Sequence, residues 1–278
     1  MATLPFRSIV FWLEKVLSSL VKAAQDRARP WVRAYAGKAL LLGAPLLLLG
    51  CRKDQEGDCF KSSGPVTTER RELAAFHVLR LYDNVEVTVV QDTETYAKVR
   101  TGRNLQEDLK LNVQDGTLTI SNTSRCNWVR RYDVPRQVTL HVPRLTDVFH
   151  VGEKTMRTEG TFLQDTLFLH LSRAGDLEFN VECKYLWVDL YELGDMKLSG
   201  QSDELIATVG DLGRLFAKDL TTKRASVHLD KLSDGDAHVR TLDFLGATVA
   251  GTGTLYYSGP PAQKDVKVTG KGKAAAVQ

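Results

Sequence analysis

Residues 175–198 read GDLEFNVECKYLWVDLYELGDMKL, and a similar beginning returns as GRLFA at residues 213–217. In each case a Gly is followed two and four positions later by a residue suited to a buried core, which combines a turn with the alternation of a strand. Five glycines share this arrangement, at spacings of 19, 19, 22 and 18 residues: Gly175, Gly194, Gly213, Gly235 and Gly253. A period near 20 indicates stacked units, because one such unit cannot cover its own apolar face.

The register after each glycine is the same in all five units. The second position holds Leu177, Met196, Leu215, Ala237 and Leu255, and the fourth holds Phe179, Leu198, Ala217, Val239 and Tyr257. A second alternating strand follows the first three glycines, with Leu186, Val188 and Leu190, then Leu205, Ala207 and Val209, then Ala225, Val227 and Leu229. We therefore predict a right-handed parallel β-helix, in which positive φ or the close approach of the next coil excludes a Cβ at each glycine.

The chain from Phe76 up to this repeat also has a dominant period of two. Val85, Val87 and Val89 alternate with polar residues, and Asp115-Gly116 separates two further alternating runs. These are half-buried strands, which predict an N-terminal β region before the β-helix. An antiparallel β-sandwich is the alternative architecture, since evenly spaced hairpins also give regular turns.

The segment ahead of the strands has the order of parts of a secretory signal. Residues 39–49 form an apolar run, with Arg33 and Lys38 before it and Cys51 two positions after it. The run is too short to span a bilayer, which takes about 20 residues. Residues 48–51, LLGC, resemble the lipobox of bacterial lipoproteins, in which the Cys is acylated and becomes the first mature residue. We predict that Cys51 is lipidated and tethers the protein to a membrane.

These features predict four parts of the chain. Residues 1–50 are a signal peptide with an unusual N-terminal extension, and residues 51–63 are a lipidated tether. Residues 64–262 form the β-helical domain, and residues 263–278 a flexible tail.

The net charge of +3 comes from the N-terminal segment, residues 1–50. Residues 1–50 contain seven Lys and Arg against two Asp and Glu, which leaves about −2 for the rest of the chain. Non-specific nucleic-acid binding needs clustered cations on the folded part, so a nucleic-acid partner is not expected.

Three cysteines remain after Cys51. Cys59 and Cys126 lie in loop-like segments, whereas Cys183 lies in an alternating apolar run where it can be a small core residue. An exported protein meets an oxidising compartment, so pairing is permitted. We predict a Cys59–Cys126 disulfide, which would stabilise the fold by about 4 kcal/mol in the chain-entropy model.

Motifs for catalysis and for metals are missing from the sequence. It contains no G-x-S-x-G, H-E-x-x-H, P-loop or C-x-x-C, so we expect a non-enzymatic protein without a structural metal or other cofactor. Asp follows a turn glycine at four places, Asp176, Asp195, Asp211 and Asp236. Stacked coils could align some of these carboxylates as calcium ligands, but Gly-Asp is also ordinary turn chemistry, which we prefer.

Outward-facing aromatic residues are the candidates for ligand contact. Trp187 and Tyr191 alternate with inward residues of one strand, and Tyr256 lies between Leu255 and Tyr257. Such side chains could stack on sugars or pack against a protein partner. Packing beneath a loop or terminus is the alternative, because large aromatic residues are usually mostly buried.

Several segments of the chain resemble one known family, the GIN-domain adhesins, which are exported proteins abundant as Bacteroidetes lipoproteins. The resemblance covers roughly residues 58 to 260, and CNWVR at 126–130 is its most specific part. The other segments are DCFK at 58–61, Phe76 with the run at 85–89, and DGTLTI at 115–120. It implies a β-helical fold, export and an adhesive or surface role, and it carries over no catalytic or ligand residue.

Together these observations predict a non-enzymatic lipoprotein of the outer membrane with an adhesin-like binding role. We expect it to face the cell surface, with the periplasmic side as the alternative. Its partners are the membrane, through the lipid, and a glycan or protein ligand. A polysaccharide-active enzyme on a β-helix and a structural envelope protein are the alternative functions.

Overall fold

The computed structural model describes residues 62–124 and 134–277. These residues are mostly β-strand, and the one helix among them is a short 3₁₀ segment, Arg103–Asp108. The first nine strands are β1 (Val66–Glu72), β2 (Val78–Asp83), β3 (Glu86–Gln91), β4 (Tyr96–Gly102), β5 (Leu109–Gln114), β6 (Thr117–Asn122), β7 (Gln137–Val142), β8 (Asp147–Gly152) and β9 (Met156–Glu159). The remaining strands are β10 (Phe162–Leu171), β11 (Leu177–Leu190), β12 (Asp195–Val209), β13 (Arg214–Leu229), β14 (Ala237–Val249), β15 (Thr254–Ser258), β16 (Gln263–Val268) and β17 (Lys273–Ala276).

Long parallel strands build two walls of a β-helix, as predicted. Strands β10 to β14 each pair in parallel with the next one. The first halves of β11 to β14 form what we call the first wall, which β9 begins and β15 and β17 continue. Their second halves form the second wall, together with β8, β10 and β16. The apolar core lies between the walls.

The glycine repeat of the sequence corresponds to the coils of the structure. The residues two positions after the glycines pair with one another in order, from Leu177 through Met196, Leu215 and Ala237 to Leu255, and all five are fully buried. The parallel register confirms the β-helix and excludes the antiparallel sandwich for this part of the chain.

Close approach of the coils explains the glycines. A Cβ at Gly194, Gly235 or Gly253 would overlap the carbonyl oxygen of the corresponding glycine one coil earlier. None of these glycines has positive φ. The left-handed conformation instead falls two residues before a glycine, at Arg173 (φ 74°) and Glu192 (φ 69°).

The N-terminal β region mixes both kinds of pairing. Strands β1, β4 and β7 pair antiparallel, and β5 and β6 form a hairpin across Asp115-Gly116, where both residues have positive φ. Strands β2 and β3 pair in parallel with β8 and β9, so they are already stacked beneath the β-helix.

The predicted flexible tail is wrong for residues 263–276. Strand β16 pairs with β14, and β17 pairs with β15, which continues both walls. Val266 and Ala274 pack against the core. The segment has few large apolar residues, so its strand character comes from backbone pairing with an existing edge rather than from a strong apolar pattern.

Candidate functional site

The outer surface of the second wall carries a cluster of large side chains. Strand alternation turns Leu167, Leu186 and Val188 into the core, where they are fully buried, and points their neighbours outward. We call the resulting cluster the aromatic face, and its members, all half-buried, are Phe149, Phe168, His170, Tyr185, Trp187 and Ile206.

The coil period assembles this cluster from separate strands. Phe168 is in register with Trp187, and Trp187 with Ile206, each 19 residues apart in sequence. Phe149 is in register with His170 in the same way. Parallel strands are about 4.8 Å apart, so outward residues of successive coils are in contact range.

The rings of the aromatic face contact one another at an angle. The centroid of Phe168 lies 6.5 Å from that of Trp187, at an interplanar angle of 37°, and 6.1 Å from that of Tyr185, at 59°. Tilted rings keep much of their faces available to another molecule. Phe149 is more enclosed, because His170 stacks on it at 4.4 Å and the guanidinium of Arg80 lies 4.6 Å from its centroid.

A depression of about 320 Å³ adjoins the aromatic face. Beyond Ile206 the aligned outward residues are Ser226 and Gly246, whose small size lowers the surface of the wall. The large rings therefore form a ridge beside a shallow hollow, a shape that can receive a protruding chain.

The three aromatic residues singled out in the sequence lie in different places. Trp187 belongs to the aromatic face. Tyr191 lies at the turn after β11, is 39% exposed and covers Gly210, where a Cβ would meet its ring at 2.5 Å. Tyr256 lies on the first wall and stacks on His238, with centroids 4.6 Å apart and planes at 16°. This stacking covers one face of the Tyr256 ring.

Several members of the aromatic face were not among the predicted residues. Phe149, Phe168, Tyr185 and Ile206 joined Trp187 only once the coils were aligned. The sequence did contain a signal for these residues, because the 19-residue spacing that aligns inward residues of successive coils also aligns the outward ones.

A second concavity, of about 700 Å³, follows the bend between the two walls. Charges of opposite sign alternate along it, since Lys184 Nζ lies 2.8 Å from Asp165 Oδ1 and Lys223 Nζ lies 2.7 Å from Asp203 Oδ1. Hydrogen bonds to these carboxylates raise the pKa of both lysines. All four side chains are exposed, so the two ion pairs contribute little stability. Both lysines are already paired with a carboxylate, so neither is free to bind an anion.

The Asp residues beside the turn glycines make local hydrogen bonds. Asp176 Oδ1 accepts the backbone N–H of Asp195 at 3.0 Å, and Asp236 Oδ1 accepts that of Thr254 at 2.7 Å. The carboxylate of Asp195 accepts two hydrogen bonds from Arg214, at 3.0 and 2.6 Å. Residues 62–124 and 134–277 contain no group of three acidic, His or Cys side chains that could hold a metal ion.

Two histidines form pairs with carboxylates that the sequence did not suggest. His170 Nδ1 lies 2.7 Å from Asp189 Oδ2, and His141 Nδ1 lies 2.9 Å from Asp92 Oδ2. The contact with His141 lowers the pKa of Asp92. A general base held by a carboxylate needs a nucleophile beside it, and within the described part of the chain no Ser, Thr or Cys side chain is hydrogen-bonded to either ring.

The predicted lipid anchor and disulfide lie outside the described residues, at Cys51, Cys59 and Cys126, and stay predictions. Cys183 packs partly against the core, and its Sγ donates to Ser202 Oγ at 3.5 Å. Burial raises the pKa of this thiol, which disfavours the reactive thiolate.

Among the residues that the structure describes, no helix has the length and apolar composition that crossing a bilayer requires.

Comparison with known proteins identifies the family. Residues 75–261 match the family model described as putative auto-transporter adhesin, head GIN domain. The chain belongs to this family. No curated protein matches the sequence.

Solved structures share the fold at low sequence identity. A putative adhesin from Bacteroides fragilis is similar with a TM-score of 0.69 and 20% identity, over 77% of this chain and 97% of that one. A putative lipid binding protein from Parabacteroides distasonis gives 0.61 and 17%, over 78% and 98%. A putative adhesin from Parabacteroides merdae gives 0.59 and 20%, over 78% and 98%.

Proposed function

We propose that this protein is an exported, lipid-anchored and non-enzymatic binding protein that contacts a glycan or protein through the aromatic face. The observation that carries the proposal is the half-buried cluster around Trp187, with Phe168 and Tyr185 tilted against each other on the outside of a wall. Large aromatic residues are enriched where interfaces concentrate their binding energy. The adhesin description of the family supports the same role.

The β-helix suits such a role because it holds the rings in place. Trp187 lies in a strand that is paired on both sides, by β10 and by β12. Its backbone is therefore fixed before a partner arrives, and little conformational entropy is lost on binding.

The anchor completes the proposal. Cys51 would carry the lipid, and the fourteen residues that follow it, 52–65, would form a tether to the first strand, β1, at Val66. We propose the outer membrane as the location, with the domain facing the cell surface. This arrangement would present the outer surface of the second wall to other cells or to extracellular polymers.

A binding screen with paired variants tests the role of the aromatic face. The full chain, purified in detergent, is applied to arrays of glycans, envelope and host proteins, and lipids. We expect a glycan or protein ligand whose affinity falls by about 30-fold or more in the double variant Phe168→Ala/Trp187→Ala. Leu193→Ala/Leu232→Ala is the matched control, because these exposed apolar residues lie at turns of the stack, away from the aromatic face, and it should bind normally. A ligand lost equally from both variants, or binding only to lipids, would contradict the proposal.

A separate experiment tests the anchor and the location. Cells producing the wild type or Cys51→Ser are labelled with a palmitate analogue, and intact cells are treated with protease. We expect label on the wild type alone, and digestion of the wild type on intact cells. Label that persists in Cys51→Ser rules out this anchor, and protection from protease places the domain on the periplasmic side instead.

A further inference from the structure

The longest interval of the glycine repeat, 22 residues, coincides with a bulge in β13. The pairing with β14 shifts register between Ala217 and Thr221, and the pairing with β12 shifts nearby, so Lys218 pairs with neither neighbouring strand. Bulges redirect side chains and are frequent beside functional sites. This bulge borders a pocket of about 400 Å³ on the first wall.

Two rows of outward side chains meet at the pocket. One row is a stack of rings from Phe216 through His238 to Tyr256, with centroids 5.4 and 4.6 Å apart. The row beside it, two residues further along each strand, holds Lys218, Arg240 and Ser258. Arg240 and Ser258 are in register, the bulge takes Lys218 out of register, and all three line the pocket. His238 lies between the rings of Phe216 and Tyr256, so it presents its edge to the pocket beside the polar groups of the second row.

The two cations of the second row have no carboxylate partner. Within residues 62–124 and 134–277, neither the Lys218 ammonium nor the Arg240 guanidinium forms an ion pair. The other cations of β11 to β14 each face a carboxylate or a ring, and they are Lys184, Lys197, Arg214, Lys223 and Arg224. Unpaired cations on adjacent coils repel each other, and one anion between them would relieve this.

The rest of the lining suits a hydroxylated ligand. Ser258 and Tyr256 provide hydroxyl groups, His238 provides ring nitrogens, and the carboxylate of Asp219 can accept hydrogen bonds from ligand hydroxyl groups. Burial, assisted by the charge of Lys218, lowers the pKa of His238, so near neutral pH its imidazole can both donate and accept a hydrogen bond.

We propose that this pocket binds an acidic saccharide whose carboxylate lies between Lys218 and Arg240. Its hydroxyl groups would contact His238, Tyr256 and Ser258. The two cations balance the Asp219 carboxylate and one carboxylate of the ligand, and the remaining hydroxyl and imidazole groups suit the hydroxyl groups of a sugar ring. The pocket lies on the first wall and the aromatic face on the second, so this inference does not rest on the proposed function.

Calorimetry with the full chain in detergent tests the pocket. The probes are trigalacturonate and sialyllactose, each compared with a neutral counterpart, the methyl ester of the first and lactose for the second. We expect at least one acidic probe to bind at least about tenfold more tightly than its counterpart, with an affinity that falls as salt rises. The double variant Lys218→Gln/Arg240→Gln should weaken it by about tenfold or more, because charge-assisted hydrogen bonds are lost.

A control variant separates this pocket from the polar groove. Lys184→Gln/Lys223→Gln removes the same charge from the groove and should bind the acidic probe normally. Both double variants change exposed side chains, so their melting temperatures should match the wild type. The proposal fails if neither acidic probe binds, if the neutral counterparts bind equally, or if the Lys218/Arg240 variant is unaffected. Equal affinity for inorganic phosphate would reduce the pocket to a general anion site and also overturn it.

Discussion

The stack from β10 to β15 and the region from β1 to β7 solve the same packing problem differently. In the stack, each residue pairs with its counterpart one coil away, so one short pattern repeated along the chain positions every strand. In the N-terminal region, β1 pairs with β4 and β4 with β7, both antiparallel and without a shared period. Repetition of sequence is therefore needed only where coils stack on like coils.

The two regions also differ in what holds their backbones together. The stack relies on glycines that let successive turns approach each other closely. The N-terminal region relies on a polar network. Arg71 donates to the carbonyl oxygens of Leu109 and Gln106, each at 2.7 Å, and the buried Gln106 side chain donates to those of Thr67 and Val99, each at 3.2 Å. Burial lowers the pKa of Arg71.

The largest effect is expected from a Cβ inside the stack. Gly235→Ala would force a methyl group into the carbonyl of Gly213, and we expect the free energy of unfolding to fall by about 3 kcal/mol, as for other overpacked sites. Urea denaturation measures this. Gly160→Ala is the comparison, because no atom lies within 4 Å of its Cβ and only its φ of 77° opposes the change, which should cost about 1 kcal/mol. Equal losses would show that close approach does not explain the repeat.

A smaller and more local effect is expected in the N-terminal region. Gln106→Ala would remove the side-chain hydrogen bonds to the carbonyls of the half-buried Thr67 and the buried Val99, and we expect a loss of about 2 kcal/mol. Hydrogen exchange should show the lost protection in β1 and β4, with β12 and β13 unchanged. Gln201→Ala, at an exposed position of the stack, should have no such effect. Loss of protection throughout the chain would mean that the two regions unfold as one unit.

The sequence predicted the stack well because the pattern that defines each coil lies within a few consecutive residues. The glycines and the residues two and four positions after them defined both the coil and its register. Alternation in the N-terminal region predicted strands but not their partners, because parallel and antiparallel strands alternate alike. The pocket proposed to bind an acidic saccharide depends on the bulge at Lys218. In the sequence this bulge is visible only as the longer, 22-residue interval between two glycines of the repeat.

The aromatic face was predictable in part. Trp187 was expected to point outward because its neighbours Leu186 and Val188 had to point inward. Its contact with Phe168 required the parallel register, which is a property of the folded coil. The stack of Tyr256 on His238 was missed for the same reason, and it covers one of the two ring faces of Tyr256.

Acid should weaken the junction between the two regions. His150 lies in β8, which pairs with both β2 and β10, and burial lowers its pKa. Its Nε2 donates to the carbonyl of Lys154 at 2.7 Å and its Nδ1 accepts the N–H of Gly152 at 3.3 Å, so a proton on Nδ1 would break the second contact. Below the ordinary histidine pKa of about 6.5 the unfolded chain takes up this proton and the folded chain does not, so stability falls as pH falls, by about 1 kcal/mol per pH unit.

Denaturation at pH 7.5 and pH 5.5 measures this dependence. His150→Gln keeps a polar side chain without the titration, so its stability should change less between the two pH values. An unchanged slope in the variant would assign the acid sensitivity to other groups.

The smallest effect on stability is expected at exposed leucines in the turns, close to the glycines of the stack. Leu193, Leu212 and Leu232 lie at turns of the stack and are 60%, 54% and 74% exposed. Leu212→Ser changes the residue directly before Gly213, yet its side chain leaves little apolar contact behind, so the free energy of unfolding should shift by less than about 0.5 kcal/mol. If denaturation showed a larger loss, the turns would owe their stability to side-chain packing, and the contrast between a backbone-packed stack and a side-chain-held N-terminal region would no longer hold.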